Sequence, residues 1–173
     1  MKKLFLHLVL IIIVGLLTSC SHPIQHADPF YNVSDDFSLD RIPLIQPIEI
    51  TQIDSSSDWR IFLPYGLWVS VPNTQLEYAY NIQKLEKFSV INSIIIAYSS
   101  YVDKEAPSFI QDNYYHWFVI IPQKRIAEGF QTEDKFNQYI QTLGIENPAW
   151  LMPDEVLKQF RKTGCLEWIP DCK

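Results

Sequence analysis

Few groups in this 173-residue chain could do covalent or metal chemistry: three cysteines, four histidines and 20 carboxylates. His22, His26 and Asp28 are close enough in sequence to clamp a metal ion. They lie, however, in a stretch punctuated by Pro23, Pro29, Asn32, Ser34, Asp35 and Asp36. A flexible segment rarely supplies a closed ligand set, so no metal site is expected there. His116 sits between Tyr115 and Trp117 in a strand-like run, where a hydrogen-bonded structural role is expected over that of a general base. The acidic pairs Glu133/Asp134 and Asp154/Glu155 read as helix starts, and Asp103/Glu105 as part of a solvated loop. Two glycosidase carboxylates need not be near in sequence, but nothing in a domain this small supports them. The glycines are too widely spaced for a phosphate-cradling loop, and neither Gly-x-Ser-x-Gly nor His-Glu-x-x-His occurs. The expectation is a protein with no catalytic residue, no metal site and no cofactor.

Aromatic side chains are the abundant resource: Trp59, Trp68, Trp117, Trp150 and Trp168, with nine tyrosines. Exposed, such rings stack on sugars or anchor a protein partner; enclosed, they are core. Trp59 and Trp117 share faces with aliphatic residues and are assigned to the core. Trp68 faces opposite Leu67, Val69 and Val71, while Trp150 and Trp168 stand in connections beside prolines. Those three are the candidate binding residues.

The elements that must position these groups are strands first and helices last. Pro43 and Pro47 keep residues 41–47 extended and out of a central strand. Strands follow at Ile48–Ile53, Trp59–Leu63 and Leu67–Val71, with a turn cluster at residues 54–58. Thr74-Gln75-Leu76-Glu77 fits a capping box, but no clean helical stripe follows, so at most one helical turn is expected. A hairpin centres on Asn92-Ser93, and Tyr115–Ile121 is a further strand closed by Pro122. The period then changes. Thr132 caps a helix carrying Phe136, Tyr139, Ile140 and Leu143 and stopping at Gly144. Pro153 opens a second, which buries Val156, Leu157 and Phe160 and stops at Gly164. Tyr139 and Phe160 are expected to be buried against the sheet. The fold class is α+β: an antiparallel sheet of about five or six strands with two C-terminal helices packed on it.

The first residues are not part of that fold. Lys2 and Lys3 precede a nearly unbroken apolar run, Leu4 to Leu17, which is shorter than the ~20 residues of a membrane-spanning helix. Leu17-Thr18-Ser19-Cys20 resembles the lipobox of bacterial lipoproteins. The resemblance implies a signal peptide over 1–19 and a lipid (palmitate among its chains) on Cys20 as the first mature residue. It also implies attachment to the membrane of the cell envelope rather than a span across it. Ser21 after the cysteine favours the outer membrane. A lipidated tether over 20–40 and a single domain over 41–173 complete the organisation. With Cys20 acylated, Cys165 and Cys172 form an even pair in an oxidising compartment and are expected to be bridged.

The formal charge is −6, or −8 once Lys2 and Lys3 are removed, leaving 12 basic residues against 20 acidic ones. An acidic chain with no Lys/Arg cluster lacks the footprint of a nucleic-acid binder. The expected role is a non-enzymatic module that binds a macromolecule at the envelope, of the size and charge of immunity or inhibitor lipoproteins. A carbohydrate-binding accessory lipoprotein is the alternative, motivated by the Trp/Tyr content, and a small hydrolase ranks last.

Overall fold

The computed structural model describes residues 23–33, 39–53, 58–64, 67, 69–70, 77–78, 81–102 and 114–172. The lipobox with Cys20, Trp68, the Thr74 turn and most of the charged loop before Tyr114 lie outside the described residues. The strands are β1 (Leu39–Pro43), β2 (Glu49–Ile53), β3 (Trp59–Ile61), β4 (Val69–Ser70), β5 (Glu77–Tyr78), β6 (Lys87–Ile91), β7 (Ile94–Tyr98), β8 (Trp117–Ile121) and β9 (Ile126–Phe130). Two α-helices follow, α1 (Glu133–Thr142) and α2 (Pro153–Thr163).

The class is α+β and all described pairing is antiparallel. The strands divide among sheets ordered β1-β2-β3, β4-β5 and β6-β7-β8-β9 rather than forming one sheet. Pro64, which has no N–H for a ladder, follows β3, whose Ile61 makes an isolated antiparallel bridge with Ile82 in the segment that leads into β6. β1 is an edge strand, the position its terminal Pro43 demands.

The four-stranded sheet is apolar on both faces, as strands with a layer on each side must be. Ile95, Ala97, Phe118 and Ile120 point into one core, with Ile42, Ile50, Ile61 and Phe160. Ile96, Trp117, Val119 and Ile121 point into the other, under Phe136 and Ile140 of α1. The molecule therefore has three layers: α1, the four-stranded sheet, and then the three-stranded sheet with α2 and the C-terminal segment. Asn92 and Ser93 both take positive φ, 49° and 64°, at the tight turn between β6 and β7.

Each helix begins and ends where its terminal residues dictate. Glu133 and Asp134 occupy the first turn of α1, and Thr132 stands at its N-cap without a side-chain hydrogen bond. α2 opens on Pro153 and stops at Gly164, which takes φ +70° and donates its N–H to the Phe160 carbonyl. Phe160 is fully enclosed, whereas Tyr139 is half-buried at the rim of α1 with its ring 5.1 Å from Phe130. No helix among the described residues is long and apolar enough to cross a membrane.

The N-terminal segment departs from the expected tether. Residues 23–33 pack on the domain, so the packed body includes part of the 20–40 stretch expected to be a tether. Ile24 N–H donates to Thr163 O at 3.2 Å, and a short 3-10 turn, Pro29–Tyr31, is capped by Asp28. Tyr31 is buried in the main core, and Arg41 donates to the Phe30 carbonyl while lying 4.9 Å from the Phe30 ring. Prolines and Asx turns shape the segment locally, but two aromatic rings hold it down.

Candidate binding cleft at Trp150

After α1, Gly144 takes φ +75° and turns the chain so that residues 145–150 run back beside the helix. Ile145 closes against the α1 core. Leu151 then exchanges two backbone hydrogen bonds with Phe88, at 2.8 and 3.0 Å, on the edge of the four-stranded sheet. That bridge fixes the residue before it, Trp150, against β6 and α1.

The result is a cleft of about 490 Å³ between α1 and the returning segment, within the ~300–1,000 Å³ usual for ligand pockets. Trp150 supplies its aromatic wall, with Ile140 and Ile145 also apolar. Glu133, Asn137 and Gln141 line one side from α1, and Glu146 and Asn147 line the other. The three helical residues fall at i, i+4 and i+8, so they form one row along α1. Three amides can both donate and accept, two carboxylates accept, and no Lys or Arg lines the space.

Trp150 is half-buried and held from behind. Its ring centroid is 5.8 Å from Trp117 and 6.1 Å from Phe136, and these two stack on each other at 5.0 Å. Lys87 lies over three rings, its Nζ 5.1 Å from Tyr98, 5.1 Å from Trp117 and 4.7 Å from Trp150. Such a cation clamps the rings as a set. Burial raises the phenol pKa of Tyr98, with the Glu86 and Glu133 carboxylates adding to the effect.

The other residues singled out in the sequence have structural partners. Trp168 is a packing residue: its ring meets Phe88 edge-on at 5.8 Å and its indole N–H donates to Pro43 O at 2.9 Å. Its place beside Pro170 made it a binding candidate, but both ends of the side chain are occupied. Trp59 and Trp117 are buried, and Trp59 Nε1 donates to Asp154 at 2.9 Å. His116 donates from Nδ1 to Ser99 O at 2.9 Å, the structural role expected of it. Cys165 and Cys172 are disulfide-bonded. Asp28 caps the 3-10 turn and His26 binds Gly164 O, whereas His22 lies outside the described residues.

Sequence reasoning found Trp150 and passed over its surroundings. Glu133 counted only as a helix start, although the row Glu133, Asn137, Gln141 at helical spacing, followed within ten residues by a tryptophan, was legible. No known protein family, curated protein or solved structure matches this chain.

Proposed function

We propose that this protein is a lipid-anchored lipoprotein of the bacterial envelope, held at the outer membrane through Cys20, that binds a glycan segment in the Trp150 cleft without transforming it. The observation that carries the reading is the lining of the cleft: one aromatic wall, three amides and two carboxylates. A sugar ring has an apolar C–H face that stacks on indole and a rim of hydroxyls that both donate and accept. Amides serve such a rim on either side of the hydrogen bond, and carboxylates take its donors. With two carboxylates and no cation lining the space, a neutral sugar fits and a phosphorylated one is repelled. This favours the carbohydrate-binding reading over a protein partner of the immunity type. The envelope placement rests on the Leu17-Thr18-Ser19-Cys20 lipobox and on Ser21.

The test is titration of the purified full chain with neutral and acidic oligosaccharides, followed by tryptophan fluorescence. Neutral sugars should perturb the emission, and Trp150→Ala should weaken binding about tenfold, the scale of one aromatic contact. Asn137→Ala should weaken it as well. Binding to no glycan, or equal binding by Trp150→Ala, would overturn the reading. New reducing ends that vanish in Glu133→Gln would convert the binding module into a hydrolase.

A further inference from the structure

A second cluster of reactive side chains lies where residues 23–26 cross the end of α2, and it shares no residue with the Trp150 cleft. His26 Nε2 is 3.8 Å from Cys172 Sγ, and the donor atoms of His26, Cys165 and Cys172 all lie within 4.8 Å of one another. All three residues are half-buried, and the cysteine Cα atoms are 5.4 Å apart. In a tetrahedral zinc site, with Zn–S about 2.3 Å and Zn–N about 2.0–2.1 Å, a sulfur and a nitrogen donor stand roughly 3.6 Å apart. The His26–Cys172 spacing already has nearly that value.

We propose that opening the Cys165–Cys172 disulfide converts this corner into a binding site for a divalent ion of zinc type, with two thiolates and one imidazole as ligands. The opening step takes two electrons, which a dithiol reductant can supply. Its thiolate attacks one cysteine sulfur, the S–S bond breaks, and its second thiol resolves the mixed disulfide, delivering two electrons in all. Cys165 and Cys172 leave as thiols, the reductant as its own disulfide. Metal entry then displaces one proton from each thiol, and water fills the fourth position.

The surrounding contacts keep the ligands together without the covalent link. Ile24 N–H is bound to Thr163 O, and His26 N–H donates to Asn32 Oδ1 at 2.6 Å. Cys165 N–H donates to Thr163 Oγ1 at 3.0 Å, and Cys172 N–H donates to Ile169 O at 3.3 Å. His26 now donates from Nε2 to Gly164 O at 2.7 Å. To ligate through that atom the ring carries its proton on Nδ1 and releases the carbonyl. The half-buried Cys172 side chain packs beside the main core, so a metal there would cross-link the C-terminus to the N-terminal segment under conditions that dissolve the disulfide.

Cobalt titration of the detergent-solubilised full chain, read by thiolate-to-metal charge transfer, tests this directly. The phosphine-reduced protein should bind one cobalt with a strong near-ultraviolet band, and the oxidised protein should give none. His26→Ala should weaken binding at least about tenfold, since even outer-shell losses cost roughly 10–100-fold. His26→Cys, which keeps a ligand at that place, should bind with a stronger band from a third thiolate. Circular dichroism of each reduced variant separates loss of a ligand from loss of fold. No band in folded reduced protein, an unchanged affinity in His26→Ala, or a band that survives Cys165→Ser with Cys172→Ser overturns the proposal.

Discussion

The ammonium of Lys87 stands 4.7 Å from the ring centroid of Trp150, and the same cation lies over Tyr98 and Trp117. One charge on β6 thus couples the sheet to the aromatic wall of the cleft. Lys87→Met retains most of the stem and removes the charge. It should lower stability by about 0.5–2 kcal/mol, the range of a partly desolvated cation–π contact. Glycan affinity should fall further than that of a distant surface variant, because Trp150 is no longer held. Denaturant unfolding and glycan titration of the same variant report the two effects.

Phe160 is 1% exposed in the core between α2 and the sheets. Phe160→Ala should cost about 3–5 kcal/mol, a large share of a typical ~5–15 kcal/mol. Thermal unfolding measures it. An unchanged midpoint would mean that α2 is not part of the core.

Gly164 takes φ +70°, and a Cβ there would lie 2.7 Å from both the nitrogen and the oxygen of Ile24. Gly164→Ala should therefore lift residues 23–26 from the body, on top of about 1–2 kcal/mol for a left-handed alanine. Limited proteolysis should gain a cleavage site within 23–33 while glycan binding persists.

Burial pushes the Tyr115 phenol up to about 12, with the Glu128 carboxylate adding to the effect. Burial likewise raises Tyr139 and Tyr98 above 10.0. The folded state holds these protons more tightly than the unfolded chain, whose tyrosines ionise near pH 10. Each contribution is complete below pH 10 and is lost as pH rises above it, for Tyr115 through about 12. Unfolding midpoints should fall across that window, and Tyr115→Phe should flatten the slope.

Cys20→Ala should block lipid attachment and release the protein from membranes. Metabolic labelling with palmitate and membrane fractionation check both outcomes. Retention together with normal labelling would remove the lipoprotein reading.

Both helices were legible because their patterns are local: Phe136 and Ile140, then Val156, Leu157 and Phe160, repeat at helical spacing. The hairpin at Asn92-Ser93 and the two-sided apolar strands β7 and β8 were legible for the same reason. β9 was not anticipated. Glu128 and Gly129 interrupt its alternation, and it exists because β8 offers a ladder to Ile126–Phe130. The docking of residues 23–33 was equally hidden, since it depends on Gly164 and Arg41 far along the chain. Trp150 was a candidate by its place beside a proline, but its cleft required the Leu151–Phe88 bridge, which has no local signature, to hold the segment that Gly144 turns back.

The docking of Ile24 on Thr163 sets the reach of the whole molecule. If Cys20 carries the lipid, only Ser21, His22 and Pro23 separate the anchor from a residue already fixed to the body. Four Cα steps span at most about 14 Å. The protein is then on a short leash, patrolling the membrane surface in two dimensions instead of sweeping the space above it. A glycan bound at Trp150 would then have to come within roughly a domain's height of the bilayer to be caught.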